Sequence, residues 1–495
     1  MPAWEPFMLG IVVFGCGAAV MVLELVGARI LAPFCGTSLT VWSGLIGLIL
    51  ASLSLGYWLG GKIADRKPEG RVLSGIIALA AVLVAATATT KIPLLTYLAS
   101  REAGPKFVAL AATALLYAPA AALLGMVSPF AVRLSVRDAA TSGATAGRLY
   151  ALSTLGSIVG TLAAGFYLIA ALGTTAILLA VAAFLLLLSI LAWQGGLRAK
   201  LAAAAVIALC GLGVWANDLS LAAAGVEDVD TAYGRLLVYQ GFDPHTGRTI
   251  RLMTTGPARC QSAVYPDAPD VLALPYTRFF ALALSLAQEP KRILVLGGGS
   301  YSFPRHVLAR LPRAEVTVVE LDPGVTRIAR SHFGLVDDPR LTIVHEDART
   351  FVNRPGGPYD LIFVDVFGTD YLPPFHLVTR EAAERLGALL APGGAVVVNA
   401  IGAPDGPGGR FLRSLAATFA DVFADTAVYP LGGADRAGQE QNVMLTARRE
   451  PGPGPTAADD EGRGFLAGRL ADPTGTDALV LTDDHAPVEW LGLGL

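Results

Sequence analysis

The chain has 495 residues, 54% of them hydrophobic and only 16% charged, a balance too apolar for an ordinary water-soluble enzyme of this length. Residues 1–217 hold 13 basic and 6 acidic side chains, whereas residues 218–495 hold 24 and 34; so acidic a second part argues against nucleic acid as a partner, because phosphate recognition needs clustered Lys and Arg, and suits a cationic substrate. Cys16, Cys35, Cys210 and Cys260 show no CxxC spacing and the histidines form no HExxH pair, which predicts neither a disulfide framework nor a metal site.

In chain order, seven apolar stretches come first, at about 7–31, 39–60, 72–90, 107–130, 149–171, 174–193 and 199–217. Each approaches the ~20 residues a helix needs to cross the hydrocarbon core, the last only just. The first lacks the basic n-region of a cleavable signal peptide. Residues 1–217 are therefore expected to be a multi-span helical membrane domain with the lipid bilayer as partner, in the cell (inner) membrane. Lys and Arg cluster in "GGKIADRKPEGR" (60–71), in "AVRLSVRDAATSGATAGR" (131–148) and at Arg198 and Lys200, so those connections are expected to be cytoplasmic. Counting crossings from them puts the chain after a genuine seventh span outside the cell. A re-entrant seventh segment or a missed crossing near "KIPLLTYLASREAGPK" would keep the following domain cytoplasmic, and that placement is the working expectation. Glu24 and Arg29 lie inside the first span, where ionisable residues are functional candidates by default; interfacial snorkelling and capping are the plainer reading. "GYWLGGKIADR" is similar to the short turn between the second and third helices of major facilitator transporters.

Past residue 217 the pattern changes. "TAYGRLLVYQGF" and "RTIRLMTTG", split by "DPHTG", predict a β-hairpin in a small N-terminal segment, 218–285. Over 286–450, "RILVLG", "EVTVVEL", "LTIVHE", "YDLIFVD" and "GAVVVNA" alternate with helical stretches, the pattern of a doubly wound α/β Rossmann-like domain with a parallel sheet. Residues 451–495 read as a linker and tail, with "PGPGPTAADDEGRGF" expected to be mobile.

Ligands of such a sheet sit at the carboxyl ends of its strands, and four features fall there in succession. Gly297, Gly298 and Gly299 close the first strand, where backbone without Cβ can approach a ligand. Glu320 ends the second, placed to accept ribose hydroxyls; Asp347 ends the third, placed to accept from an exocyclic amine; Asp365 ends the fourth. The loop lacks the GxGxxG spacing of a dinucleotide site, so an adenosine without phosphates, with S-adenosylmethionine foremost, is the expected ligand.

These residues resemble a known family. "LVLGGGSY", "VVELDP", "DDPRLTIVHEDARTFV" and "YDLIFVDVF", with "TAYGRLLV" and "CQSAVY…LPYTRF" upstream, look like spermidine synthases (polyamine aminopropyltransferases), while "LELVGARILAPFCG", "LGGKIADR" and the ending "LTDDHAPVEW" resemble that family's membrane-fused branch. The resemblance implies S-adenosylmethionine or its decarboxylated form as co-substrate, with no metal. It implies Glu320, with Asp322 after it, at the ribose and Asp347 with Ala348 at the adenine. It places Gln261, Tyr276, Asp370 and Tyr371 around the amine, and makes Asp365 the catalytic base. A small-molecule amine such as putrescine and a second copy of the chain in a homodimer are the implied partners.

Departures from the family pattern fall on the acceptor side: Gly234, Thr277, Gly368 in place of the second Asp of a DxxD motif, and Ser300 as the fourth residue of the glycine loop. An Asp at 300 would repel the carboxylate of intact S-adenosylmethionine by some kcal/mol at about 4 Å; Ser300 removes that repulsion. Four readings therefore stay open: aminopropyl transfer to an amine with release of methylthioadenosine, a lyase or cyclase acting on intact S-adenosylmethionine, a methyltransferase, and a non-catalytic polyamine or nucleoside sensor or transporter. His376 reads first as a helix cap, and Asp483 and Asp484 as either cleft residues from the tail or caps.

Overall fold

The computed structural model describes residues 5–101, 104–136, 138–193, 195–256, 260–368, 372–433 and 436–492. The chain divides into two compact units, Met1–Arg235 and Leu236–Leu495.

The first unit is helical: α1 (Glu5–Cys35), α2 (Leu39–Arg66), α3 (Gly70–Ala99), a continuous rod of α4 (Pro105–Leu116), α5 (Ala118–Gly125) and α6 (Val127–Ser135), then α7 (Ser142–Ala163) running through a π-turn into α8 (Ile169–Ala171), α9 (Thr174–Ala192) and α10 (Leu197–Ala223). Seven of these helical stretches, one for each apolar run in the sequence, are long and apolar enough to cross a membrane. The seventh, marginal as a run, continues to Ala223. It buries only Lys200 and Ala203 and leaves Leu209, Leu212, Trp215 and Leu219 exposed, an apolar surface that water does not favour.

Close backbone approach sets which helices pair. A Cβ on Gly156 would lie 1.9 Å from the Phe14 carbonyl oxygen and one on Gly160 2.4 Å from that of Ala18, so α1 and α7 run parallel in contact. Likewise Gly56 faces the Ala122 carbonyl and Gly60 faces Met126, with Asp65 3.4 Å from Arg133, so α2 runs parallel to the α4–α6 rod. The Arg29 guanidinium donates to the Thr231 carbonyl.

The second unit begins with antiparallel strands β2 (Arg235–Phe242), β3 (Thr249–Thr254) and β4 (Ser262–Val264), after β1 (Glu227–Asp230) of the first. The hairpin turn falls at 243–248, where the Asp243 amide donates to the Arg248 carbonyl at 2.9 Å. Then come α11 (Pro275–Ala283), β5 (Arg292–Leu296), α12 (Ser302–Arg310), β6 (Glu315–Val319), α13 (Pro323–His332), β7 (Leu341–Val344), α14 (Ala348–Val352), β8 (Tyr359–Val364), α15 (Arg380–Ala388), β9 (Leu390–Gly402), α16 (Arg410–Ala420), β10 (Asp425–Pro430) and β11 (Gln441–Arg448). The sheet order is β10-β11-β9-β8-β5-β6-β7. Strands β5 to β9 are parallel, and the central β5 is buried on both faces, Ile293 to Leu296 being at most 2% exposed. The sheet is mixed rather than wholly parallel, because β11 runs antiparallel to both β9 and β10: the short connection from β10 to β11 can close a hairpin and cannot carry a crossover. The chain reverses its lateral direction between β5 and β8, which makes the carboxyl ends of those strands the switch point.

The Gly- and Pro-rich stretch after 450 is held in place, contrary to the mobile linker expected. The Thr456 amide donates to Ser285 Oγ at 2.9 Å, Glu461 pairs with Arg278 at 2.8 Å, and Phe465, in α17 (Asp460–Ala467), packs 6.4 Å from Phe279. One buried aromatic ring supplies the anchor that composition alone hides. A last short helix, α18, spans Val488–Gly492.

Gly156→Ala is expected to lower the melting temperature of the purified protein, since a side chain forced against backbone costs about 1–3 kcal/mol. Gly61→Ala, with no atom within 4 Å of the new Cβ, is expected to leave it unchanged or raise it, because Ala is the better helix former.

Candidate active site

The glycine loop is shaped by what crosses it. Gly297 has φ +95°, and a Cβ there would stand 2.2 Å from the Asp365 carbonyl oxygen; β5 and β8 end so close together that only bare backbone passes. Gly299 has φ +51° and faces Ser262 Oγ, which a Cβ would approach to 2.5 Å. That hydroxyl oxygen accepts from the Ser300 amide at 3.1 Å, so β4 closes over the loop. Beneath it lies the Tyr301 ring, fully buried, its hydroxyl 2.7 Å from Thr326 Oγ1.

Glu320 follows β6 and turns back into this loop. Its Oε2 accepts from the Gly298 amide and its Oε1 from the Asp322 amide, both at 2.8 Å. Burial pushes the carboxyl above its usual value, opposed by those two amides, which favour the anion. Asp322 is buried and serves as the N-cap of α13, accepting from the Gly324 amide at 2.8 Å. Asp347 caps α14 in the same way, Oδ1 accepting from the Thr350 amide at 2.9 Å, with buried Ala348 beginning the helix. His376 stands 3.6 Å from Asp347 Oδ2, in a short turn at Phe375–Leu377; the side chain faces the strand-end carboxylate instead of capping a helix.

Asp365 lies at the centre. Its Oδ1 accepts from Asn399 Nδ2 at 2.9 Å, and the Tyr276 phenol lies near enough to act on it as a second donor. Burial raises its pKa to about 6 against these two donors, which pull it down, and the nearby Glu320 charge adds to the rise. Burial also pushes the Tyr276 phenol well up, which keeps it a donor. Asn399 is 1% exposed on β9, and its Oδ1 accepts from Asn442 Nδ2 on β11 at 3.0 Å, which leaves the amide nitrogen for Asp365. The Tyr276 hydroxyl also reaches the Gln261 carbonyl, at a long 3.4 Å. Ser300 Oγ and Gln261 Oε1 are buried with no hydrogen-bond partner among the described residues. A buried polar atom left unpaired costs about 1–3 kcal/mol, and such atoms mark a place for a ligand's polar groups.

The structure thus brings Gly297, Gly298, Gly299, Ser300, Glu320, Asp365, Tyr276 and Gln261 into one neighbourhood, with Asp347 and Ala348 two strands along the same edge. Asp370 and Tyr371 lie outside the described residues. Sequence reasoning missed Asn399, Asn442 and Ser262. A lone amide inside the apolar run "GAVVVNA" was the available signal for the first, while the other two carry none. Asp483 lies away from the glycine loop: it pairs with Arg349 at 2.6 Å and accepts from Thr379 Oγ1 at 2.7 Å, tying the tail to the helix that Asp347 begins. Among the described residues no cluster of three or more His, Cys, Asp or Glu is arranged to hold a metal.

Residues 276–404, the span from Tyr276 past Asn399, match the spermine/spermidine synthase domain. Among curated relatives, the polyamine aminopropyltransferase of Vibrio vulnificus is 33% identical over 145 residues, 28% of this chain and 48% of the relative. Polyamine aminopropyltransferase 1 of Streptomyces coelicolor is 26% identical over 422 residues, covering 79% of this chain and 75% of the relative; that alignment is longer than the second unit and so extends into the helical one. The chain spans about half of the Vibrio relative and 61% of polyamine aminopropyltransferase 2 of Pseudomonas aeruginosa. A probable spermidine synthase from Corynebacterium glutamicum is a structural neighbour, 25% identical, with TM-score 0.41 over 50% of this chain and 88% of that one.

A carboxyl whose folded-state pKa is raised stabilises the fold below its unfolded pKa and loses that contribution as pH rises through the folded value. Asp365, moved from 3.8 to about 6, therefore weakens the second unit above pH 6. Asp365→Asn is expected to raise the denaturation midpoint at pH 8, by an amount on the order of 2 kcal/mol, and to lose that advantage at pH 4.

Proposed function

We propose that the protein is a membrane-integrated transferase whose second unit binds an S-adenosylmethionine-type co-substrate, transfers its aminopropyl-type chain to a small amine and releases methylthioadenosine. The observation that carries this reading is a buried, hydrogen-bonded carboxylate at Asp365, with pKa near neutrality, beside a backbone cradle that a single Cβ would fill. Glu320 holds the cradle by the Gly298 amide and keeps lone pairs for ribose hydroxyls; Asp347 takes the adenine end. The apolar surfaces of the seven helices support the membrane part of the reading.

The chemistry asks for a free amine. An alkylammonium with pKa near 10 is almost wholly protonated at neutral pH, so Asp365 first attracts the cation and then takes its proton. The nitrogen lone pair forms the new C–N bond as the C–S bond breaks. Its electrons neutralise the sulfonium, and a neutral thioether leaves. Tyr276 and Asn399 fix the carboxylate for that transfer, and holding both reactants in the cleft supplies much of the remaining acceleration.

Ser300 supports intact S-adenosylmethionine as an acceptable co-substrate, used with an amine or in an acceptor-free lyase reaction. The loop's fourth residue brings no negative charge, and its buried hydroxyl is unpaired.

Incubation of the purified protein with intact or decarboxylated S-adenosylmethionine, with and without putrescine, distinguishes the chemistries by mass spectrometry. Methylthioadenosine with an alkylated amine is the expected result, and S-adenosylhomocysteine would instead mean methyl transfer. The kcat/KM profile should fall on the acid side near pH 6 as Asp365 takes up a proton. Asn399→Ala, which removes a donor to the anion, should move that limb up by about one pH unit, and Asp365→Asn should lower kcat by about 10²–10⁴-fold.

A further inference from the structure

The arrangement of the helical unit fixes where its chain emerges. Connections between successive helices are short, at 36–38, 67–69, 136–141, 172–173 and 193–196, so neighbours in sequence run in opposite directions. Contacts between non-neighbours agree. Ser74 of α3 bonds Ser189 near the end of α9 at 2.9 Å, while Lys91, late in α3, donates to Thr174 and Thr175 at the start of α9, at 2.8 and 2.7 Å; these helices are antiparallel. The parallel pairs α1 with α7, and α2 with the α4–α6 rod, complete the pattern. The last of these pairings shows that 105–135 makes one crossing: its contacts with α2 advance in step from Gly44 against Leu110 to Asp65 against Arg133.

One face of the unit therefore carries the connections after α2, α6 and α9. Nine of the 13 Lys and Arg of residues 1–217 lie in or beside these three connections. The opposite face carries the ends of α1, α3 and α8 and the start of α9. The chain leaving α10 is fastened there, as Asp230 Oδ2 accepts from the Thr174 amide at 2.8 Å and from its hydroxyl at 3.1 Å. The Arg29 guanidinium, near the end of α1, donates to the Thr231 carbonyl. Lys91 reaches the same threonines from α3. Two of the four cations outside the basic connections are thus engaged in this clamp. The clamp also excludes a re-entrant α10, because residues 230–231 are tied to helix ends a full span away from the basic connections where α10 begins.

Basic connections stay in the cytoplasm, and the seven crossings are odd in number. We infer that the second unit works on the side of the membrane away from the cytoplasm, so that the amine it alkylates comes from the pool outside the cytoplasm. This reverses the cytoplasmic placement expected from the sequence, and it rests on the membrane reading proposed above.

Single cysteines test it in the full chain carrying Cys260→Ser: Asp337→Cys, at a side chain 90% exposed in the second unit, and Lys67→Cys, in a basic connection. An impermeant maleimide applied to intact spheroplasts is expected to label the first, and to label the second only after permeabilisation. Protection of the Asp337→Cys variant until permeabilisation, with Lys67→Cys labelled from outside or equally protected, would overturn the inference while leaving the membrane reading intact. Recovery of the chain in the supernatant of an alkaline wash, instead of the membrane pellet, removes the membrane reading and this inference with it.

Discussion

A carboxylate withdrawn from water keeps its proton unless donors are brought to it, and the second unit is organised around that condition at Asp365. Burial alone would hold the acid neutral at higher pH; two donors bring it back to about 6. Each donor comes from a different element. Tyr276 opens α11, and Asn399 sits on β9, oriented by Asn442 of β11. The antiparallel end of the sheet therefore contributes to the site as well as to the core, since without β11 nothing would turn the Asn399 amide toward the acid.

The same point explains the glycine loop. Strands β5 and β8 end so close together that the loop crosses the Asp365 carbonyl with no room for Cβ, which brings the glycine loop and Asp365 together. Glu320 then holds the loop from the neighbouring strand through the Gly298 amide, and Ser262 closes it from above through the Ser300 amide. At the other edge, the Arg349–Asp483–Thr379 cluster ties the tail to the helix begun by Asp347. A cleft assembled in this way has little freedom to adjust, which suits chemistry that depends on placing two reactants.

The helical unit obeys a different constraint. Its helices are apolar on nearly every face, so hydrophobicity alone cannot choose their partners, and close backbone contact at Gly56, Gly60, Gly156 and Gly160 makes the choice. At the end away from the basic connections, Lys91, Thr174 and Asp230 satisfy one another. That end is the one at which the chain leaves the unit.

By itself the sequence determined the existence of the seven apolar helices, the alternating strands and the strand-end acids Glu320, Asp347 and Asp365, because hydropathy, periodicity and turn chemistry act over a few consecutive residues. Only the tertiary structure decided what surrounds those acids: Asn399 and Asn442, Ser262 over the glycine loop, His376 beside Asp347, and the docking of Phe465 in a stretch whose composition resembled a linker. It also decided where the chain goes after α10, since residues 230 and 231 had to be seen tied to α1 and α9. These are meetings between side chains tens to hundreds of positions apart, and a contact of that kind leaves no mark in the local pattern of either partner.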